Sequence, residues 1–562
     1  AVQGTDVADE DKAVAGLCHY PGQSQALGGL ERCAMNISER ELREIFLPPW
    51  EAGIKKSGAL GVMATYPAID GVPVHASEKI LTDMLRGELG FEGLVLSEGE
   101  GFATILWEKV AASQKDAGIL ALNAGVDVGI TYEELYMMPM IENIKEDKVH
   151  VELIDRAVRR ILRLKFQLGL FENPFVDPAK AKKVRNSEEH QELALQCARE
   201  GIVLLKNEDN LLPLDKNKVK SIAVIGPNAN NERNQLGDYV SKIITQDIVT
   251  VLEGIEASVS PGTKVNYVKG CDVLTTDFNE IDKAKRVARK SDVAIVVVGE
   301  NERWAKDAHG NEVATSGEHK DVASLDFTGL QQKLIKEVHA TGTPVIVVMI
   351  NGRPISTRWT SEHVPAIVEA WLPGEKGGHA IAEVIFGEYN PSGRLTVSVP
   401  RHAGQLPMYY NYFPSKQRRA HSGYVDMSVT PLYEFGFGLS YTTFEYSNLK
   451  LSSKKIGIAG DIQITADVKN TGKRAGQEVA QLYINDVISS MVTPSRELKG
   501  FEKVSLEPGE TKTVSFTLTP EDLSFINSNM EKEVEPGIFE VMVGRSCEDI
   551  KLKDEFEVIA KK

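Results

Sequence analysis

The chain has 562 residues, enough for several domains, and its 42% apolar and 26% charged content is that of a globular protein with a sizeable core. A formal net charge of −16 argues against nucleic acid as a partner, because phosphate binding needs clustered Lys and Arg. Five scattered cysteines without a C-x-x-C pair exclude a disulfide framework or a cysteine zinc site, and no run of about 18 apolar residues reads as a membrane span. The start, AVQGTDVADEDKAVAG, lacks the basic and apolar regions of a signal peptide.

Residues 1–172 alternate apolar runs with helical periodicity. AVAGLCHY (13–20), ALGVMAT (59–65), LVLSE (94–98) and GVDVGI (125–130) read as short buried strands. Residues 38–56, 77–89 and 103–124 read as helices, with Ser38 and Glu41 as a capping box and Ser77 as a further cap. This alternation predicts parallel strands with crossover helices. Polar residues His19, Tyr66 and Glu98 close three of the strands. In a (β/α) barrel that end carries the chemistry.

An amphipathic helix over 150–170 leads to a proline- and charge-rich linker, 173–190. Residues 191–443 form a second α/β pattern: 219–226, 292–300, 344–350 and 366–371 are continuous apolar runs, as in parallel strands covered on both faces, and 327–341 is a helix. From 444 to 562 the runs 460–470, 478–486, 511–519 and 537–545 alternate apolar and polar residues between NTG, EPGE and EPG turns. That predicts an antiparallel β-sandwich. No internal repeat or low-complexity segment is present.

The chain has no P-loop, no dinucleotide-binding glycine motif, no G-x-S-x-G and no HExxH. Carboxylates are the informative group. Glu98 ends an apolar strand, in GLVLSEGEG. Glu318 lies in the long loop 300–326, which also holds Trp304. Loops of that length inside a domain usually have a function or lack order. An aromatic face suits a pyranose ring. Two acids from different loops suit glycoside hydrolysis, one as nucleophile and one as proton donor. Spacing alone leaves open that both glutamates are solvated loop residues and that His19 and Tyr66 are satisfied core groups.

Several phrases together carry a resemblance. IDGVPVHASEKILTDMLRGELGFEGLVLSE (69–98), AREGIVLLKNEDNLLPL (198–214), PSGRLTVSVPR (391–401) and PLYEFGFGLSYTTF (431–444) resemble glycoside hydrolase family 3. VKNTGKRAGQEVAQLYI (468–484) is similar to the fibronectin type III-like domain of its three-domain β-glucosidases. The resemblance implies the C-terminal part of a (β/α)8 TIM-like barrel, an α/β sandwich and a fibronectin-like β-sandwich. It implies a retaining exo-β-glucosidase that releases β-linked glucose from the non-reducing end of oligosaccharides, without metal or organic cofactor. The family nucleophile is an Asp after V-x-S; here Glu98 follows Val95-Leu96-Ser97, one methylene longer. The acid/base lies in a loop resembling G-E-x-x-D-x-x-x-L, which gives Glu318 that role. A Lys-His pair that grips sugar hydroxyls reads Cys18-His19 here, so His19 carries over and the Lys does not. Losing a charged hydrogen bond weakens the sugar site by about 1.5–3 kcal/mol. Tyr66 matches a Tyr beside the nucleophile.

Four barrel strands precede the linker where about eight are expected. The expectation is therefore a fragment, a barrel completed by another chain, or a half-barrel closed as a homodimer. Alternatives to the glucosidase are β-xylosidase specificity and a non-catalytic sugar-binding remnant of the fold. An adhesion role for the fibronectin-like domain and the N-acetylglucosaminidase branch fit less well. Neither nucleic acid nor membrane is expected as a partner. The compartment is open, with bacterial cytoplasm or periplasm as the expectation.

Overall fold

In the computed structural model, which describes residues 2–130, 134, 136–242, 244, 247–302, 304, 306, 310–415 and 423–560, the N-terminal apolar runs form a parallel sheet. Its strands run in the order Gly16–Tyr20, Gly61–Ala64 and Leu94–Leu96. Val128 continues the order by a single parallel bridge to Leu96. The expected fourth strand is thus reduced to one bridge. This sheet belongs to a unit made of residues 1–178 and 525–533; residues 179–524 and 534–562 form a second unit.

Helices of the first unit pack Leu81, Leu85, Ala117 and Ala121 against Val62, Ala64 and Val95 of the sheet. The stretch expected as one helix over 38–56 is segmented: Glu39–Glu41, Leu42–Phe46, Pro48–Glu51 and Ala52–Lys56. Pro48 and Pro49 lack the N–H that a continuous helix would use, so the bonding pattern resets there. Ser38 caps the first segment, accepting from Glu41 N at 3.2 Å. The 103–124 stretch splits into Ala103–Trp107 and Gln114–Ala124, the second capped by Ser113 and closed by Gly125 at φ 108°.

Buried Asp127 ties these pieces together. Its carboxylate takes Arg86 Nη2 and Arg160 Nη1, each at 2.7 Å, and Val95 N at 3.1 Å. Two guanidiniums and a backbone donor satisfy a charge that burial would otherwise penalise. Burial also pushes the Arg86 guanidinium down to about 10, against the pull of Asp127.

The second unit holds a six-stranded sheet. Its order is Val203–Asn207, Ala366–Glu369, Val345–Ile350, Val293–Gly299, Ser221–Ile225 and Lys264–Val268. All neighbours pair in parallel except Val203–Asn207, which is antiparallel at the edge. Successive residues of the continuous runs feed two separate cores: Val293, Ile295 and Val297 one, Ala294, Val296 and Val298 the other. That is the two-sided burial the sequence predicts. Helices Pro178–Val184 and Glu188–Gly201 begin inside the stretch expected as a linker.

Two sheets form the C-terminal sandwich. One orders Phe444–Leu451, Ile462–Asn470 and Thr511–Leu518; the other orders Lys455–Gly457, Ile550–Ile559, Gly537–Gly544, Gly476–Asp486 and Glu497–Leu506. Pairing is antiparallel except at Lys455–Gly457. Ile462, Ile464, Ala466 and Val468 point inward, as strict alternation requires. Among the described residues, no helix is long and apolar enough to cross a membrane.

Candidate active site

Glu98 follows the Leu94–Leu96 strand, and its side chain is 13% exposed. Ser97 fixes the strand end: its N–H donates to Val128 O (2.9 Å), its hydroxyl to Ile130 O (3.2 Å), and it accepts from Ile130 N (2.8 Å). After Glu98 the chain turns sharply. Gly101 N donates to Glu98 O at 2.9 Å, and Tyr66 Oη donates to Gly99 O. Gly101 is obligatory here, since a Cβ would collide with His75 Nε2 and crowd Glu98 O. His75 is wholly buried behind this turn, edge-on to Phe102, and burial pushes its imidazole down to about 3, so it is neutral.

The carboxylate itself meets two cationic or potentially cationic groups. His19 Nε2 lies 3.0 Å from Oε2, though out of line for a hydrogen bond, and Arg32 Nη2 lies 3.6 Å from Oε1. The Arg32 guanidinium also covers the Tyr66 ring at 4.1 Å. Sequence reasoning missed Arg32, which sits in an unremarkable GGLERC stretch. Its backbone is left-handed, φ 69°, an uncommon state for a non-glycine residue and one that concentrates at functional sites. His19 and Arg32 thus lie beside Glu98, and Tyr66 lies against Arg32 and the Gly99 carbonyl. Cys18 is exposed, and among the described residues no contact ties it to Glu98.

Glu318 lies in the second unit. Asn301 and Thr315 are tied together: Asn301 N donates to Thr315 Oγ1 (3.0 Å), and Thr315 N to Asn301 Oδ1 (2.8 Å). Ser316 also bonds Asn301 O, through its N–H at 3.1 Å and its hydroxyl at 3.0 Å. Glu318 N then donates to Asp238 Oδ2 at 3.0 Å. Gly317 has φ 108°, and a Cβ there would run into the Asp238 carboxylate, so only glycine fits. Two residues on, Lys320 O accepts from Arg353 Nη2 at 2.8 Å. Arg353 is held in turn by buried Glu300, whose Oε1 is 3.3 Å from Arg353 Nε and whose Oε2 accepts from Gly352 N (3.0 Å) and Arg353 N (3.3 Å). His319 Nε2 stands 3.8 Å from Glu318 Oε1. Trp304 lines a cavity with Asn234 and Arg233, and its backbone N–H donates to Glu302 Oε2 at 3.0 Å. A carboxyl on a loop pinned at both sides is a group that can be presented to a ligand and can exchange a proton with it.

Family models match in three places: the glycosyl hydrolase family 3 N terminal domain over residues 1–164, its C-terminal domain over 202–441, and a fibronectin type III-like domain over 478–547. A beta-xylosidase of Formosa agariphila is 39% identical over 569 residues, covering 98% of this chain and 76% of that protein. The chain belongs to glycosyl hydrolase family 3. A periplasmic beta-glucosidase of Salmonella typhimurium is 36% identical, covering all of this chain and 75% of that protein. Among solved structures, a beta-glucosidase from Listeria innocua in complex with isofagomine superposes with a TM-score of 0.90 at 32% identity, over 100% of this chain and 77% of that one. A β-glucosidase from Erythrobacter marinus gives 0.91 at 37%, over 98% and 74%. This family 3 chain is a glycoside hydrolase with TIM-barrel-like, α/β sandwich and fibronectin-like parts.

Proposed function

We propose that the protein is a retaining, exo-acting β-glucosidase with Glu98 as nucleophile and Glu318 as acid/base. The observation that carries this reading is the Glu98 carboxylate at the C-terminal end of a parallel strand, flanked by His19 and Arg32. A Glu98 oxygen attacks the anomeric carbon while Glu318 gives its proton to the departing glycosidic oxygen. A covalent glycosyl-enzyme forms. Glu318 then takes a proton from water, whose oxygen attacks the anomeric carbon and releases Glu98. Two inversions leave the product with the substrate's configuration.

The supporting groups act on placement. Arg32 attracts the Glu98 carboxylate and, stacked on Tyr66, has little freedom to leave it. Tyr66 holds the Gly99 carbonyl, fixing the turn after the nucleophile. His19 is placed for a sugar hydroxyl as well as for Glu98. Trp304 offers an aromatic wall to sugar. The domain division we propose is a partial barrel over 1–172, a connecting stretch 173–190, an α/β sandwich over 191–443 and the fibronectin-like domain over 444–562.

A β-xylosidase specificity is the second reading, supported by the Formosa agariphila relative's name. A periplasmic location is supported by the Salmonella typhimurium relative. Hydrolysis of 4-nitrophenyl β-D-glucopyranoside and β-D-xylopyranoside, with the product anomer followed by NMR, tests the proposal. Faster release of β-glucose is expected. Preference for the xyloside would support the second reading, and a first-formed α-anomer would reject a retaining mechanism.

A further inference from the structure

A cavity of about 130 Å3 in the second unit is walled by the Trp304 ring, Asn234, Arg233, Lys269, Asp272 and Lys306. Its polar lining is incompletely satisfied. Asn234 is buried; its Nδ2 donates to Asn228 Oδ1 at 2.7 Å, while its Oδ1 has no hydrogen-bond partner among the described residues. A buried acceptor of this kind is unfavourable until a donor reaches it. That oxygen is almost wholly covered, and a turn of the Asn234 side chain toward the cavity would let a ligand hydroxyl beside the tryptophan face meet it.

The charge of the wall adds a second requirement. Arg233 pairs with buried Glu302 (Nε to Oε1, 3.0 Å) and Lys269 with Asp272. Lys306 is bridged through its backbone to Glu312, whose carboxylate lies 3.4 Å from Lys320 Nζ, and Lys242 sits 5.3 Å over the Trp304 ring. Arg233 and Lys269 are thus neutralised by carboxylates, and the ammonium groups of Lys306 and Lys242 are left beside the ring in a chain whose net charge is −16. An ammonium group can donate to a neutral hydroxyl, but a charge-assisted bond to an anionic oxygen is about twice as strong.

We propose that this cavity binds a sugar bearing an anionic oxyacid group, either a uronate carboxylate or a sulfate ester. The ring packs on Trp304, one hydroxyl donates to Asn234 Oδ1, and the charged group faces Lys306. The loop that holds Trp304 and Lys306 also carries Glu318. Given the proton-donor role proposed for Glu318, the acidic sugar is the leaving-group part of the substrate. This step rests on the proposed function and narrows it to glucosides of acidic sugars.

Calorimetric titration of the intact chain with methyl β-D-glucuronide, glucose 6-sulfate, methyl β-D-glucoside and inorganic sulfate tests the site. An acidic sugar should bind about tenfold more tightly than the neutral glucoside, the size of one charge-assisted contact. Lys306→Glu should erase that preference without moving the neutral glucoside, and Trp304→Ala should weaken the acidic sugar too. Whichever of the two acidic sugars binds more tightly identifies the oxyacid. Equal binding of acidic and neutral sugars, or acidic-sugar binding unchanged in Lys306→Glu, would overturn the proposal. So would inorganic sulfate binding as tightly as glucose 6-sulfate, which would mark an adventitious ion site only. Hydrolysis of 4-nitrophenyl β-D-glucopyranoside is measured on the same preparation. Turnover without acidic-sugar binding rejects this inference alone, whereas loss of turnover rejects the glucosidase reading.

Discussion

Glu98 and Arg353 show how differently two residues can act in the proposed mechanism. In that mechanism Glu98 forms the bond, so Glu98→Gln should lower kcat by at least about a thousandfold, as loss of a nucleophile does elsewhere. Arg353 reaches the chemistry only through Lys320 O, two residues from Glu318. Arg353→Ala should lower kcat by up to about a hundredfold, the cost of an ångström-scale misplacement, with a smaller change in KM. Arg353→Lys should restore part of it, since a lysine can still donate one hydrogen bond. Equal kcat in all three proteins would remove Arg353 from the account. The sequence made Glu98 visible because an apolar strand ends on it, and Glu318 through a motif. It concealed Arg32 and Arg353, because their roles depend on side chains reaching across the fold to residues remote in sequence.

At the scale of elements, the buried charges decide how the strands are held. Removing Asp127 leaves Arg86 and Arg160 facing each other with no anion, so Asp127→Ala should destabilise the first unit by about 3–5 kcal/mol in denaturant unfolding. Glu369 ends a central strand of the second sheet. Burial pushes its carboxyl up to about 8, partly offset by Trp371 N and Asn351 Nδ2. It is therefore protonated in the folded state at neutral pH. A carboxyl whose folded pKa is raised binds more protons folded than unfolded between roughly pH 4 and 8, so stability falls as pH rises through that window. Glu369→Gln should remove this downward slope while keeping the Trp371 hydrogen bond. An unchanged slope by thermal melting between pH 5 and 8 would contradict a neutral Glu369.

Element type was legible wherever periodicity was strong. The 293–299 and 345–350 runs and the alternating 462–470 strand fall where their patterns put them. Missed strands have two causes. Lys264–Val268 and Ile550–Ile559 carry many polar or charged residues because half of their side chains face solvent, and Val203–Asn207 follows directly on the Glu188–Gly201 helix.

At the scale of the whole molecule, chain order and packing diverge. The segment 525–533, deep in the C-terminal sequence, groups with residues 1–178. Arg40 Nη1 donates to Ile526 O (3.2 Å), Ile526 N to Glu44 Oε2 (2.8 Å), and Lys532 pairs with Glu51 at 2.6 Å. Glu44→Ala should raise amide hydrogen exchange over 525–533 by about tenfold or more, the cost of leaving a charge-assisted bond unmade. The Val151–Gln167 helix exposes Val151, Val158, Leu162 and Phe166. Apolar surface of this kind commonly marks an interaction site. A homodimer or a barrel-completing chain, both expected from the sequence, would cover it, and a compact monomer by analytical ultracentrifugation would count against the homodimer.

The central claim is that Glu98 forms the covalent intermediate. The direct measurement is tandem mass spectrometry of the protein after incubation with 2,4-dinitrophenyl 2-deoxy-2-fluoro-β-D-glucoside, a substrate whose intermediate hydrolyses slowly. A fluoroglucosyl adduct on Glu98, absent in Glu98→Gln, is the expected result. An adduct on Glu100 or another carboxylate, or turnover of the reagent without any adduct, would contradict the account.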